Sequence, residues 1–307
     1  MNILVTVDER YATYLMVMLE SLFIHNEQEM DIYLLYSDIR EESLDRLRRL
    51  VSGHGKRLHT VRVDEKVFGA APVFRYFSRT MYYRLLCAEL LPERAERVLY
   101  LDPDILVRGS VQELYEQDLQ GCSIAGVPDR FINRFWPDHR DALGLEDEEP
   151  YINSGVLLFD LEKMRREFQL EEMMRCLEEH RENTYFPDQD AINLYFRSDI
   201  HVLPRKYNYN TGYGTLRDML QYMAGRRDPG KPQPVIVHYM GESKPWQDSY
   251  YGKYFWEYYA YYRKYLSGRE RLNFAAKPLW VAEKMVRAAW RRMAGKKRDS
   301  FKRREEG

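Results

Sequence analysis

The sharpest chemical signal in the sequence is VLYLDPDILV, residues 98–107. An apolar run ends in Asp102-Pro103-Asp104 and then turns apolar again. Two carboxylates at i and i+2 on the end of a buried strand repel each other and lose hydration, a cost of several kcal/mol per charge if nothing compensates. Pro103 removes a backbone donor and stiffens the turn between them. A divalent cation would relieve the repulsion, and hard oxygen ligands suit Mg²⁺ or Mn²⁺. In isolation the same tripeptide could equally be a surface turn with an Asp cap. The flanking strand pattern argues for the metal.

Three further clusters carry usable chemistry. In YINSGVLLFDL, residues 151–161, Asn153, Ser154 and Gly155 stand before an apolar strand. The Asn153 amide offers a donor and an acceptor to a hydroxylated ligand, and Gly155 permits close approach of backbone. In FPDQDAINLYF, residues 186–196, Asp188 is placed to cap a helix, and Gln189 and Asp190 follow in its first turn. In VIVHYMGESKPW, residues 235–246, His238 ends an apolar strand and is followed by Gly241, Lys244 and Trp246. A neutral imidazole can complete a metal site begun by carboxylates, and a lysine supplies a point charge for phosphate. Together the clusters offer two Asp and a His for a divalent cation, cationic side chains for phosphate, and Asp, Asn and Gln for hydroxyls.

The elements that must position these groups follow from hydrophobic periodicity. Strands are expected at Asn2–Val7, Asp31–Tyr36, Leu58–Val63, Arg97–Leu101, Ser123–Val127, Gly155–Phe159, Ile200–Leu203 and Val235–His238. Helices are expected at Thr13–His25, Glu41–Ser52 with Gly53 as its stop, Thr80–Leu91 closed by Pro92, Glu162–His180 and Asp188–Phe196. This alternation predicts an α/β fold, a mostly parallel mixed sheet with helices on both faces. In such sheets ligands lie beyond the carboxyl ends of the strands, where the four clusters fall.

Composition narrows the class. The chain has 307 residues, 45% of them hydrophobic, enough for a sizeable core and against general disorder. No apolar run is long enough to span a bilayer. The N-terminal MNILVTVDERY lacks a basic start, which does not fit a secretory leader, so a cytoplasmic location is expected. Cys87, Cys122 and Cys176 are too far apart for a metal or redox pair and are expected as buried thiols. DERY stands where a Gly-x-Gly-x-x-Gly loop would follow the first strand, and there is no Walker A loop, Gly-x-Ser-x-Gly elbow or His-Glu-x-x-His. Dehydrogenase, P-loop, α/β-hydrolase and zincin readings are thereby weakened.

Six ordered motifs, VTVDERYATYL, SRTMYYRLL, LYLDPDILV, YINSGVLLFDL, FPDQDAIN and HYMGESKPW, make residues 1–250 resemble glycosyltransferase family 8. This family of retaining nucleotide-sugar enzymes includes bacterial lipopolysaccharide galactosyl- and glucosyltransferases and glycogenin. The resemblance implies a single Rossmann-like nucleotide-sugar domain of GT-A type, UDP-glucose or UDP-galactose as donor, and Mn²⁺, with Mg²⁺ as substitute. It implies that Asp8 bonds uracil and Tyr11 stacks on it. Asp102, Asp104 and His238 would bind the metal, with Gly241 and Lys244 on phosphate. Arg84, Asn153, Asp188 and Gln189 would hold the donor sugar, and Asp129 in GVPDRF would face the sugar or acceptor. Gln189, Asp188 and Asp190 are the candidate catalytic residues. Gln189 is a poor nucleophile, which favours same-face attack with the departing UDP taking the acceptor proton.

The expected division is a catalytic domain at 1–248 and a Tyr-rich, basic appendage at 249–307. Residues 275–307 hold eleven Lys/Arg against four Asp/Glu, while the whole chain has a net charge of −1. Over Leu279–Met293 apolar residues line one helical face and Lys284, Arg287, Arg291 and Arg292 the other. That is the pattern of an interfacial helix on an anionic membrane, placing the protein peripherally at the inner face. The acidic body is not that of a nucleic-acid binder. The expected partners are therefore a nucleotide-sugar donor and a glycan or glycolipid acceptor. Two other functions fit the same residues: a non-catalytic UDP-sugar-binding module anchored by its tail, and a sugar nucleotidyltransferase.

Overall fold

The structure, a computed structural model, describes residues 1–68, 79–146, 149–211, 233–247, 250 and 252–271. The amphipathic segment expected over 279–293, and the basic tail with it, lie outside the described residues. Among the described residues no helix is long and apolar enough to cross a membrane. The chain divides into two compact units: residues 1–210 with 231–238, and residues 211–230 with 239–307.

The first unit is a mixed α/β fold of the GT-A kind. Its large sheet has seven strands: β1 (Asn2–Thr6), β2 (Asp31–Tyr36), β3 (Arg57–Arg62), β4 (Arg97–Leu101), β6 (Ile124–Pro128), β7 (Ile152–Asp160) and β8 (Ile200–Val202), in the order β3-β2-β1-β4-β7-β6-β8. The pairs β1–β2, β2–β3, β1–β4 and β6–β8 are parallel; β7 runs antiparallel to both its neighbours. Along the strands Leu4, Tyr33, Leu35, Val98, Tyr100, Leu157 and Phe159 enter one core. The alternate residues Ile3, Val5, Ile32, Leu34, Leu99 and Leu101 are equally buried. Burial on both faces explains why these strands read as continuous apolar runs.

The helices that frame the site are α1 (Ala12–Ile24), α2 (Glu41–Gly53), α3 (Cys87–Leu90), α4 (Gln112–Tyr115), α5 (Arg130–Phe135), α6 (Pro137–Ala142), α7 (Leu161–Glu167), α8 (Leu170–Glu179) and α9 (Pro187–Tyr195). Four expectations need correction. The single helix over Glu162–His180 is two, because Phe168 and Gln169 are extended. Phe168 turns inward to stack on Phe196 at 5.7 Å, and the Gln169 N–H donates to the Tyr195 hydroxyl. The helix over Thr80–Leu91 is mostly a 3-10 stretch, Arg79–Leu86, with only α3 as true α-helix. Gly53 lies within α2, and the left-handed residue that ends the turn is Gly55, at φ 68°. Of the cysteines only Cys87 is buried; Cys122 and Cys176 are half-buried, and all three are free thiols.

Sequence periodicity alone leaves no place for a second sheet, yet it is the one that assembles the site. Strands β5 (Ile105–Val107), β9 (Tyr209–Asn210) and β10 (Ile236–His238) pair in the order β5-β10-β9. His238 faces Ile105 in the antiparallel register and Asn210 in the parallel one. Side chains of α1 and of the turn after it fasten this arm. Ser21 Oγ accepts the Val107 N–H at 3.0 Å and donates to the Met18 carbonyl, and Asn26 Oδ1 accepts the Val111 N–H at 2.8 Å.

The β6–β7 ladder has a bulge. Gly126 faces Leu157, but the next β6 residue, Val127, faces Asn153, so Ser154, Gly155 and Val156 fall between consecutive β6 partners.

In the second unit, described by itself, Tyr239 is the hub. Its ring meets Tyr250 and Tyr258 edge-on, and its hydroxyl donates to the Tyr254 carbonyl at 3.0 Å. Phe255–Tyr262 forms a short aromatic helix beside it.

Ser21→Ala leaves the buried Val107 N–H without its acceptor. A loss of about 1–3 kcal/mol is expected in denaturant unfolding, with an unchanged m-value.

Candidate metal and donor-sugar site

Asp102 follows the last residue of β4, and its backbone N–H donates to the Gly155 carbonyl at 2.9 Å. Asp104 precedes β5, and His238 ends β10, so the two sheets bring residues 102, 104 and 238 to one point. One ligand atom from each lies within 4.8 Å of the others. His238 Nε2 is 3.1 Å from Asp104 Oδ1 and 3.6 Å from Asp102 Oδ2. Two hard oxygens and an imidazole nitrogen are a fitting donor set for Mn²⁺ or Mg²⁺. Gly155 leaves the room: a Cβ there would stand 2.1 Å from His238 Cε1 and 2.7 Å from Asp102 Oδ2. The close approach expected at Gly155 is thus made by these two side chains.

Arg84, only 4% exposed, holds the carboxylates in register. Its Cζ lies 4.0 Å over the Tyr100 ring, Nη1 donates to the Ser154 carbonyl at 2.6 Å, and Nε donates to the Met81 carbonyl at 2.8 Å. Nη2 is 3.3 Å from Asp102 Oδ1 and 3.4 Å from Asp188 Oδ2. Burial pulls the Arg84 pKa down, but Tyr100, Asp102 and Asp188 more than offset it, and the net shift is upward. Burial raises the Asp188 pKa; Arg84 opposes that, Asp102 adds to it and Ser154 resists it, leaving it above the usual aspartate value. Burial also pushes the Tyr100 hydroxyl well above its ordinary value, so it stays a donor, reaching Asp102 Oδ1 at 2.5 Å.

On the other side of Arg84 stands a run of carboxamides. Gln189 Oε1 accepts from Asn153 Nδ2 at 2.8 Å and from the Ser154 N–H at 3.0 Å. Gln189 Nε2 donates to Asp129 Oδ2 at 3.3 Å and to the Tyr151 hydroxyl at 3.2 Å. Asp129 also caps α5, Oδ1 accepting the Phe131 N–H at 2.8 Å. Arg84, Asn153, Asp129, Asp188 and Gln189 therefore form one connected network with the metal-ligand cluster. Tyr100, Ser154 and Asn208 belong to it as well. Tyr100 could have been found from its alternation with Asp102 along the strand, whereas Asn208 gives no local signal.

Asp190 differs from the catalytic expectation. It is fully buried, and its two oxygens accept from His139 Nε2, the Tyr151 hydroxyl and the Tyr185 and Phe186 N–H groups. Those bonds make it an anchor for the chain entering α9. The correction is physical: one turn of helix carries Asp188 towards Arg84 and Asp190 towards His139.

Asp8 caps the turn Glu9–Tyr11, and its carboxylate accepts the Arg10 backbone N–H at 3.0 Å and the Arg10 Nη2 at 2.6 Å. Tyr11 is pushed up to about 12, first by burial and next by the charge of Asp104, which places its phenol within electrostatic reach of the metal-ligand cluster. Gly241 and Lys244 belong to the second unit. Gly241 has φ 78°, a conformation that favours glycine, and Lys244 Nζ donates to the Tyr239 carbonyl at 2.8 Å.

Comparison with known proteins gives a consistent picture. The model of the family described as Glycosyl transferase family 8 matches residues 2–249. Glycosyltransferase GlyF of Streptococcus pneumoniae serotype 4 is 29% identical over 245 residues, 80% of this chain and 57% of that protein. The chain thus spans little more than half the length of that relative. Lipopolysaccharide 1,2-glucosyltransferase of Escherichia coli K12 is 28% identical over 254 residues, 80% of this chain and 72% of that one. The crystal structure of galactosyltransferase LgtC with donor and acceptor sugar analogs superposes with a TM-score of 0.76 at 25% identity, covering 89% of this chain and all of that one.

Because the Asp188 pKa is raised in the folded state, its stabilising contribution is complete below the unfolded aspartate pKa and is lost as pH climbs through the folded value. Removing Arg84 pushes that shift further up. Arg84→Ala is expected to lower the unfolding free energy by about 3–5 kcal/mol at neutral pH. Denaturant titrations should show a smaller deficit near about pH 5 than at neutral pH.

Proposed function

Since the chain belongs to glycosyl transferase family 8, we propose that it transfers glucose or galactose from a UDP-sugar to a glycan or glycolipid acceptor, with retention of anomeric configuration and with Mn²⁺ held by Asp102, Asp104 and His238. The observation that carries this reading is the convergence of those three side chains, from two different sheets, to within 4.8 Å. The sugars are taken from the lipopolysaccharide glucosyl- and galactosyltransferases that the chain is similar to.

Bound at those three residues, a divalent cation supplies positive charge to the leaving diphosphate. The protein's own groups do the rest. Asp8 and Tyr11 take the uracil by hydrogen bond and stacking. Arg84 keeps the Asp102 and Asp188 side chains fixed, which spares reorganisation as the sugar becomes cationic. Asp129, Asn153 and Gln189 present an ordered row of amide and carboxylate groups to the sugar hydroxyls. Gln189 has both ends of its amide engaged, so it orients rather than attacks. The bond between the anomeric carbon and the phosphate oxygen breaks, the acceptor oxygen bonds that carbon on the same face, and its proton passes to the departing diphosphate. The basic stretch 275–307 holds the protein at an anionic membrane surface where the acceptor resides.

The test is UDP release from UDP-glucose and UDP-galactose by the full chain. Activity should require added Mn²⁺ and vanish with chelator, and Asp104→Ala should fall on the order of 100-fold or more. Gly155→Ala, which places a methyl group against His238 and Asp102, should lose Mn²⁺ binding in electron paramagnetic resonance titrations. Turnover that ignores chelator and survives Asp104→Ala would overturn the reading, and pyrophosphate release in place of UDP would point to nucleotidyl transfer.

A further inference from the structure

Two backbone N–H groups fix the direction of a hydrogen-bonded chain that ends on the imidazole of His238. The Gly155 N–H donates to one end of the Asn153 amide at 3.0 Å, so that end is the carbonyl oxygen. The Ser154 N–H donates to the Gln189 amide at 3.0 Å, so that end too is an oxygen, and it faces the Asn153 Nδ2 at 2.8 Å. Both assignments agree and neither depends on an imidazole or a carboxylate.

Asn153 Oδ1 receives a second donor at 2.8 Å from the side chain of Asn208, which must be its Nδ2. The opposite end of Asn208 is therefore Oδ1, an acceptor, and it lies 3.0 Å from His238 Nδ1. An acceptor at that distance requires an N–H on the ring nitrogen. The neutral imidazole thus carries its proton on Nδ1 and presents the Nε2 lone pair towards Asp102 and Asp104. Asn208 is 3% exposed. Its placement comes from β9, whose parallel pairing with β10 sets Tyr209 opposite Val237 and brings the preceding residue beside the His238 ring.

We infer that Asn208 is the positioning residue for His238, setting its tautomer and ring plane through a relay rooted in the Gly155 and Ser154 amides, and that this relay ties the metal-ligand cluster to Gln189. The inference rests on the reading that Asp102, Asp104 and His238 hold a divalent cation. Asn208 is not among the three side chains of the metal-ligand cluster. It acts through His238 on one side and through Asn153 on the other, so all its polar termini point the same way along the chain.

The experiment combines two measurements on the full chain. Mn²⁺ titration by electron paramagnetic resonance compares the native protein with Asn208→Ala and Asn208→Asp, each checked for a native melting transition in chelator. Asn208→Ala should weaken Mn²⁺ binding about 10–100-fold. Asn208→Asp keeps an acceptor for Nδ1–H and should restore binding to within a few-fold of native. It cannot donate to Asn153, so its UDP-sugar KM should stay raised. Ring-nitrogen NMR of metal-free native protein, with the imidazole neutral, should show His238 as the Nδ1–H tautomer, and this readout needs no variant to fold. Native-like Mn²⁺ affinity in Asn208→Ala, or an Nε2–H tautomer in the native protein, would overturn the inference. A native chain that binds no Mn²⁺ would instead refute the metal reading, and the NMR measurement would still decide the tautomer.

Discussion

Arg84 brings a permanent positive charge into a space almost closed to water, and two carboxylates, Asp102 and Asp188, are each within 3.4 Å of the same guanidinium nitrogen. Without that charge, both acids would face a steep desolvation cost, and Asp188 already titrates above its ordinary range despite it. Stacking on Tyr100 and donation to the Ser154 and Met81 carbonyls hold the guanidinium plane in one orientation. The two acidic side chains are therefore held in place before any ligand arrives. Such preorganisation is what makes fixed charges effective on a reacting centre.

A second constraint is topological. Residues 102, 104, 153, 188, 208 and 238 are scattered over more than a hundred positions, and no single element presents more than two of them. The large sheet brings Asp102 against Gly155, while the small sheet brings Asp104 and Asn208 against His238. Ser21 on α1 and Asn26 just past its end hold the backbone of Val107 and Val111, which links the first helix of the chain to the geometry of the site.

Much of this could be read from residue order. The Asp102-Pro103-Asp104 signal at the end of an apolar strand and the lone His238 at the end of another are brought together as the metal reading requires. The inner strands β1, β2, β4, β6 and β7 follow from their apolar runs, because burial on both faces leaves a clear pattern, while the half-buried edge strands β3 and β8 follow from shorter β-branched runs. What escaped has a physical reason in each case. Of the small sheet only β10 falls on an expected strand; β5 and β9, of three and two residues, are too short for periodicity. The break at Phe168 is made by tertiary contacts with Tyr195 and Phe196, which outweigh the helical pattern on either side. The burial of Arg84 between two acids has no local signature in SRTMYYRLL, since both partners come from distant parts of the chain. Asp190 and Asp188 look alike in sequence and differ only in which way the helix turns them. Asn208 owes its place to the parallel pairing of β9 with β10, which no local pattern encodes.

The bulge between β6 and β7 has its own consequence. In an unbroken ladder the amide hydrogens of Ser154 and Gly155 would be spent on neighbouring strands; here they orient Gln189 and Asn153 instead. A tidier sheet, with those residues trimmed away, would gain main-chain pairing and forfeit the reference points that tell each amide which way to face. Regularity and reactivity are in competition along this stretch of β7, and the irregular version is the one that can work.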